Sequence, residues 1–344
     1  MTTLVVTVLI SALAIVGAGT LLARAGDVIA ARTKWGGVWV GSVFLAAATS
    51  LPEIVTDISA VRLGVPDLAA GDLFGSSMAN MVILAVVTVV PSGTQLFQKA
   101  ALDHALYASL AIVLTAIAAM SVLIGGGPSL FGVAYSSVLL LAVYIAGSRV
   151  VFRHSTLART AGTTIEMSGA LPPPLPGETP QPEAIPSLRR AFIMFAGGAV
   201  TLVVAAPAFA RSAQGIAEAT GLGTTFIGTW LVGFSTSLPE LVTCLAAVRM
   251  RAYDLAVGNL FGSNAFNMAV FPLLDAVSPT GPVFGAITAT HAISALVGIG
   301  LMGIALAALV YRARGRLSLL EPSSAVIIVG YVLGLALVLL NEKR

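Results

Sequence analysis

Long apolar runs recur along the whole chain and constrain its fold more than any other feature. Hydrophobic residues occupy 57% of the 344 positions, charged residues occupy 10%, and the mean hydropathy is +0.98. A soluble domain has a lower apolar fraction and a higher charged fraction than this chain. A helix of about 20 apolar residues is long enough to cross a membrane. The sequence therefore predicts an all-α membrane protein with ten transmembrane helices, at residues 3–23, 36–61, 66–91, 103–124, 128–148, 191–210, 225–248, 254–277, 283–311 and 322–341.

Basic residues are distributed unevenly among the connectors of these predicted helices. If the N-terminus lies outside, the inner connectors hold 14 of the 18 Lys and Arg residues, and the outer side holds only Arg62, Arg211, Lys343 and Arg344. Cytoplasmic connectors of membrane proteins are enriched in Lys and Arg. The bias predicts a multi-pass protein of the cell inner (plasma) membrane with both termini outside.

A Pro-rich connector divides the chain near its midpoint. It carries seven prolines between Pro172 and Pro186 among polar residues, which is typical of an extended linker without a packed core. We expect a first five-helix repeat at residues 1–150, a cytoplasmic linker at residues 151–189 and a second five-helix repeat at residues 190–344.

The two halves share an internal repeat at an offset of 187 residues. Thr49-Ser50-Leu51-Pro52-Glu53 aligns with Thr236-Ser237-Leu238-Pro239-Glu240, and about 19 of the 32 paired positions from there to Asn80 and Asn267 are identical. Five predicted crossings separate equivalent points, so the second copy enters the membrane from the opposite side. Inverted repeats are typical of secondary transporters with a midplane binding site, which favours alternating access.

Each copy places a glutamate directly after a proline inside an apolar helix. An ionised carboxylate there is costly unless a cation or another partner offsets its charge, so Glu53 and Glu240 are candidate ligands. Proline lacks an N–H group, so the carbonyl of Ala48 or Ser235 loses its helical partner and could bind a cation. The preceding hydroxyl residues, Thr49 and Ser50 in one copy and Thr236 and Ser237 in the other, share a helical face with the glutamate.

The next helix of each repeat supplies further neutral oxygens. Ser76 and Asn80 are four residues apart, as are Ser263 and Asn267, and neighbouring glycines permit close helix approach. Two carboxylates with many neutral oxygens, and neither Cys nor His, suit a hard cation such as Ca²⁺ better than a transition metal. Any one of these Ser, Thr, Asn or Gly residues could instead serve helix packing, but packing does not explain a duplicated Pro-Glu step.

These motifs make the chain resemble the cation/Ca²⁺ exchanger superfamily, and within it the prokaryotic sodium/calcium exchanger branch. That branch carries G-T-S-L-P-E and G-N-x-x-G-S-N-x-x-N in two α-repeats, and the resemblance covers the whole chain. It implies that the helices at 3–23 and 191–210 slide across the core and expose the site alternately. The implied ligands are Glu53, Glu240, Thr49, Ser50, Thr236, Ser237, Ser76, Ser263, Asn80 and Asn267, with the carbonyls of Ala46 and Gly233.

The chain departs from the family pattern at several positions. Ala48 and Ser235 replace the glycine that opens the motif, and some relatives have Asp at the position of Asn267. Two acids occur in the first copy only: Asp72 pairs with Asn259, and Asp57 pairs with Cys244. Both could face the ion pathway as a coupling or proton site, or bind a second cation. Alternatively, Asp57 lies near the outer mouth and Asp72 makes an interhelical contact.

Several functions remain compatible with these patterns. The motifs favour a Na⁺/Ca²⁺ antiporter, with H⁺ coupling as an alternative in which Glu53, Glu240 or Asp72 is protonated in one state. An intramembrane hydrolase that uses Asp72 is a remote alternative, because Asn259 stands at the equivalent position and no HExxH motif occurs. We expect no enzyme activity, no cofactor, no nucleic acid and no obligatory protein partner. The expected partners are the lipid bilayer and the transported ions, Ca²⁺ and either Na⁺ or H⁺.

Overall fold

A computed structural model describes residues 2–33, 35–90, 93, 95–100, 103–160, 187–219, 236–311 and 321–342. These residues are almost entirely helical. The longer helices are α1 (Thr2–Thr33), α3 (Ala46–Arg62), α4 (Pro66–Val87), α6 (Asp103–Leu123), α7 (Tyr135–Thr160), α8 (Leu188–Ala219), α9 (Leu238–Arg249), α10 (Tyr253–Ala269), α12 (His291–Tyr311) and α13 (Pro322–Glu342).

Shorter elements join or extend these helices. They are α2 (Gly37–Trp39), a π-helix (Val40–Leu45), α5 (Leu96–Lys99), the strands β1 (Ser129–Leu130) and β2 (Val133–Ala134), α11 (Phe271–Val277) and a 3₁₀ turn (Val283–Gly285). The two strands form an antiparallel hairpin in which Ser129 pairs with Ala134. The helix α2, the π-helix and α3 follow one another directly and form one span, Gly37–Arg62.

Eight helices among the described residues are long and apolar enough to cross a membrane. They agree with eight of the ten predicted apolar runs, and α13 is a shorter apolar helix at the tenth. The seventh run lies partly in residues 220–235, outside the described residues, and its described helix α9 has 12 residues. The chain is therefore an all-helical membrane protein, and the count of ten crossings stays a prediction.

Several helix ends differ from the predicted runs for local chemical reasons. The helix α7 continues to Thr160, ten residues into the predicted linker, because residues 149–160 contain neither Gly nor Pro. The second repeat breaks its helix at Val270, where Pro272 lies in the first turn of α11 and cannot donate a backbone hydrogen bond. Ala85 stands at the equivalent position of α4, which continues to Val87. The Pro-rich centre of the linker lies outside the described residues.

Two His–Asp contacts join the repeats in a reciprocal manner. His104 Nε2 lies 3.0 Å from Asp254 Oδ1, and His291 Nε2 lies 2.9 Å from Asp67 Oδ1. His291 is the repeat equivalent of His104, and Asp254 is the repeat equivalent of Asp67, at the same offset of 187. Each contact thus joins the start of one helix to the start of a helix in the other repeat. Reciprocal pairing of this kind is what a pseudo-two-fold axis between two copies produces.

The helix α10 packs backbone against backbone on the π-helix. A Cβ atom on Gly41 would lie 2.9 Å from the Leu255 carbonyl oxygen, and one on Gly258 would lie 3.0 Å from Ser42 Oγ. A Cβ atom on Gly262 would overlap the backbone of Ser42 itself. Small residues permit this approach in membranes, where packing contacts hold helices together. The contact fixes α10 against the helix that carries Glu53.

We expect Gly262→Ala to destabilise the protein by about 1–3 kcal/mol, because the added methyl group must displace the Ser42 backbone. The matched control is Gly75→Ala at the equivalent position of the first repeat, where a Cβ atom meets no atom of the described residues within 4 Å. Thermal unfolding of the detergent-purified variants measures the difference. Equal melting temperatures for the two variants would contradict this account of the contact.

Candidate cation site

The two Pro-Glu steps lie on α3 and α9, which contact each other inside the bundle. Glu53 is 1% exposed and Glu240 is fully buried. Their surroundings differ locally, since Pro52 lies within the continuous helix α3, whereas Pro239 lies in the first turn of α9. The two carboxylates are near enough to repel each other electrostatically. The structure therefore brings together the two acids that the repeat predicts.

Threonines of the motif bind the neighbouring repeat in matching ways. Thr49 Oγ1 donates to Asn259 Oδ1 at 3.2 Å, and Thr236 Oγ1 donates to Asp72 Oδ1 at 3.0 Å. Thr49 is the equivalent of Thr236, and Asn259 is the equivalent of Asp72. The same contact thus occurs twice across the repeat interface, with an amide oxygen as acceptor in one copy and a carboxylate oxygen in the other.

Each glutamate is also in polar contact with the opposite repeat. Asn267 Nδ2 donates to Glu53 Oε2 at 3.3 Å, and Ser50 Oγ makes a longer contact of 3.5 Å with Glu240 Oε1. These contacts involve one oxygen of each carboxylate. The other oxygen of each, Glu53 Oε1 and Glu240 Oε2, is buried without a hydrogen-bond partner.

Unpaired buried oxygens are concentrated among the predicted ligands. A buried polar atom without a partner is costly, so a cluster of such atoms indicates a ligand that they can bind. The neutral members of the cluster are Ser76 Oγ, Ser237 Oγ, Ser263 Oγ, Asn80 Oδ1 and Asn267 Oδ1. Ser76 lies beside the Glu53 carboxylate. Both repeats thus contribute unpaired hydroxyl and amide oxygens, on α4 and α10 and at the start of α9.

A buried acid elsewhere in the bundle shows what a structural carboxylate looks like here. Asp275 is 2% exposed, and both of its oxygens accept backbone hydrogen bonds, from Ala134 at 3.0 Å and from Val283 at 2.7 Å. Its role is to hold the β-hairpin and the 3₁₀ turn on α11. Glu53 and Glu240 each keep one buried oxygen without a donor, so their burial is not explained by such a role.

Of the two predicted carbonyl ligands, Ala46 is among the described residues and Gly233 is not. The Ala46 residue is buried, and its carbonyl oxygen lies 3.2 Å from Thr49 Oγ1, whose single hydroxyl proton it shares with Asn259 Oδ1. Gly233 lies outside the described residues, as does Ser235. The role of Gly233 as a ligand therefore stays a prediction.

The sequence did not single out Asn264, which the structure places between the two repeats. Asn80 Nδ2 donates to Asn264 Oδ1 at 2.8 Å, and Asn264 Nδ2 donates to the Ser77 carbonyl at 3.2 Å. Ser77 is the repeat equivalent of Asn264. The Ser77 hydroxyl donates to the Leu73 carbonyl of α4. The sequence signal for this residue is its position in the G-S-N part of the family motif. Its partners, however, are on another helix and cannot be inferred from spacing.

The arrangement suits a hard cation bound by a few charges and many neutral oxygens. Among the described residues, no group of three or more His, Cys, Asp or Glu side chains could hold a metal ion. A ligand set for a transition metal is therefore not found in that part of the chain. Carboxylate, hydroxyl and amide oxygens from Glu53, Glu240 and their neighbours are the ligand types that Ca²⁺ prefers.

Comparison with known proteins places these features in a family. Residues 3–152 and 190–340 match the family described as sodium/calcium exchanger protein. The inner membrane protein YrbG of Escherichia coli (strain K12) is 26% identical over 245 residues, which are 71% of this chain and 70% of that protein. The putative antiporter CaxA of Alkalimonas amylolytica is 26% identical over 245 residues, 70% of each chain. The sodium/calcium exchanger MaX1 of Methanosarcina acetivorans is 42% identical over 67 residues, 20% of this chain and 19% of that protein.

Solved structures of the sodium-calcium exchanger NCX_Mj have the same fold. The protein soaked with 10 mM Na⁺ and zero Ca²⁺ matches with a TM-score of 0.68 at 21% identity, over 98% of this chain and 99% of that chain. The protein soaked with 2.5 mM Na⁺ and 1 mM Sr²⁺ matches with a TM-score of 0.69 at 19% identity, over the same shares. The family match spans both halves of the chain. This chain therefore belongs to the sodium/calcium exchanger protein family, as its motifs predict, and is a multi-pass membrane transport protein.

Proposed function

We propose that this chain is an antiporter that exchanges Na⁺ for Ca²⁺ by alternating access at a midplane site. The observation that carries the proposal is the pair of buried Pro-Glu carboxylates, each with one oxygen unpaired, contributed by the two repeats. Two negative charges match one divalent cation. Several Na⁺ ions can occupy overlapping positions among the same oxygens, so that Na⁺ and Ca²⁺ compete.

The proposed ligands are the residues that the motifs predict. Glu53 and Glu240 supply the charge, and Asn267 orients the Glu53 carboxylate through its amide group. The neutral ligands are Thr49, Ser50, Thr236, Ser237, Ser76, Ser263, Asn80 and Asn267, with the carbonyls of Ala46 and Gly233. The bound ions are transported substrates, and membership in a transporter family argues against a hydrolase.

The helices α1 and α8 are the proposed moving element. They pack along each other, and α1 contacts α9 while α8 contacts α3. The pair therefore lies across both helices that carry a Pro-Glu step. Much of α1 and α8 faces away from the bundle, since 22% of the α1 span and 33% of the α8 span are buried, compared with 67% of the α4 span. A loosely enclosed pair can slide across a tightly packed core and open the site to either side.

The proposed topology follows from the distribution of the basic residues among the connectors. It has ten transmembrane helices in two inverted halves, residues 1–150 and 190–344, in the inner (plasma) membrane. Residues 151–189 form the cytoplasmic connector, and both termini lie outside. In this orientation the contact between His104 and Asp254 lies on the inner side, and the contact between His291 and Asp67 lies on the outer side.

We expect proteoliposomes loaded with Na⁺ to take up ⁴⁵Ca²⁺ in proportion to the outward Na⁺ gradient. Glu53→Gln and Glu240→Gln should each reduce this uptake to the level of protein-free liposomes, because each removes a charge that offsets Ca²⁺ in a low-dielectric site. The control is Asp103→Asn. It removes a carboxylate that joins α6 to α7, where Asp103 Oδ1 lies 3.2 Å from His154 Nδ1. Uptake that survives both Glu substitutions would refute the site. Uptake driven by a pH gradient without Na⁺ would assign H⁺ as the coupling ion.

Single cysteines test the proposed orientation. In a Cys244→Ser background, we expect a membrane-impermeant maleimide to label Phe131→Cys in intact cells, because this side chain is 96% exposed in the β1–β2 turn on the proposed outer side. Arg251→Cys, in the exposed turn between α9 and α10, should be labelled only after the cells are permeabilised. The reverse pattern, or labelling of both from outside, would contradict the topology.

A further inference from the structure

Asp57 and Asp72 form a second pair of buried carboxylates next to the Glu53–Glu240 site. Asp57 is fully buried on α3, and Asp72 is 8% exposed on α4. The two side chains are in contact with each other, and both lie close to Glu53. The bundle interior therefore holds two pairs of carboxylates, Glu53 with Glu240 and Asp57 with Asp72.

Most oxygens of this pair have no partner. No donor group of the described residues hydrogen-bonds to either oxygen of Asp57 or to Oδ2 of Asp72, and the two carboxyl groups lie within hydrogen-bonding reach of each other. Asp72 Oδ1 accepts the Thr236 hydroxyl at 3.0 Å. The only Lys or Arg between residues 37 and 87 is Arg62, and its side chain is exposed. No basic side chain of the described residues is bonded to Asp57. Asp275, whose two oxygens each accept a backbone N–H, shows that this fold satisfies a structural acid fully.

The charges of the pair require compensation that the proposed Ca²⁺ site does not supply. A divalent cation between Glu53 and Glu240 offsets their two charges and leaves those of Asp57 and Asp72. An uncompensated carboxylate inside a membrane protein costs several kcal/mol, by order of magnitude. A monovalent cation near Asp57 offsets one of the two charges and lowers this cost.

We propose that Asp57 and Asp72 form a separate binding site for a monovalent hard cation, Na⁺, adjacent to the Glu53–Glu240 site. The pair offers three unpaired oxygens and one that Thr236 occupies, fewer than the six to eight oxygens that Ca²⁺ takes in proteins. The hydrogen bond from Thr236 joins this site to a proposed ligand of the central site. The inference rests on the proposed function in one respect, since it makes the bound Na⁺ one of the coupling ions.

The second repeat provides a comparison within the same molecule. Its equivalent residues are Cys244 and Asn259, which carry no charge, and Cys244 contacts the Ala256 carbonyl of α10 at 3.9 Å. Asn259 accepts from Thr49 as Asp72 accepts from Thr236. The hydroxyl contact is thus retained in both copies, while the paired charge occurs in one. The charge is therefore not required for the interhelical contact.

Equilibrium binding of ²²Na⁺ to the purified full chain tests the site without transport. We expect Asp57→Asn to bind one Na⁺ fewer per chain than the parent protein, and Asp72→Asn to show the same loss. The double variant should lose no further Na⁺, because both residues belong to one site. Asp103→Asn is the control for the loss of a carboxylate elsewhere, and a symmetric elution profile from size exclusion shows that each variant is folded.

Transport stoichiometry provides the second measurement. In proteoliposomes, the membrane potential at which ⁴⁵Ca²⁺ flux reverses gives the number of Na⁺ exchanged per Ca²⁺, and we expect this number to fall by one in Asp57→Asn. Exchange of ⁴⁵Ca²⁺ for Ca²⁺, which needs no Na⁺, separates this effect from a loss of the central site. A parent protein without Na⁺-driven Ca²⁺ uptake would refute the proposed function, while ²²Na⁺ binding would still test the pair.

Two results would overturn the site. The first is equal ²²Na⁺ binding by the parent protein and by Asp57→Asn. The second is a loss of H⁺ movement coupled to Ca²⁺ in Asp57→Asn with Na⁺ stoichiometry unchanged, which would show that a proton compensates the pair.

Discussion

The need to offset buried carboxylate charge governs this structure. Two pairs of acids are buried in the bundle, and no basic side chain of the described residues is bonded to their unpaired oxygens. Burial of an uncompensated charge is costly, so a bound cation or proton stabilises these residues. Asp275 shows the opposite solution, because two backbone N–H groups satisfy it permanently. A site that must release its ion cannot use fixed donors of that kind.

Duplication supplies the neutral oxygens that such a site needs. Each repeat contributes one glutamate and a threonine that binds the other repeat, and the reciprocal His–Asp contacts hold the same helices at their ends. The close approach of α10 to the π-helix depends on glycines, because any side chain at Gly262 meets the Ser42 backbone. A π-helix leaves backbone groups less regularly paired than an α-helix does, and such segments are frequent at functional sites.

Much of this arrangement could be predicted from the sequence, because apolar runs and an internal repeat are local patterns. The offset of 187 residues pairs Glu53 with Glu240, and the structure brings the helices of both together. The roles of Asn264 and Asp275 could not be predicted, since each is defined by partners on distant elements. The length of α7 was underestimated because hydropathy marks the membrane-embedded part of a helix and not its end.

The differences between the repeats have a consequence for exchange. A ligand shifts a conformational equilibrium only by its difference in affinity for the two states, and two identical halves would present equivalent ligands to each side. Here Asn267 binds Glu53, whereas its equivalent, Asn80, binds Asn264 and leaves Glu240 to Ser50. Asp57 and Asp72 add charge on one side of the pseudo-two-fold axis only. Under the proposed exchange mechanism, the inward-open and outward-open states therefore surround the ion with different oxygens, which allows the affinity of each ion to differ between them.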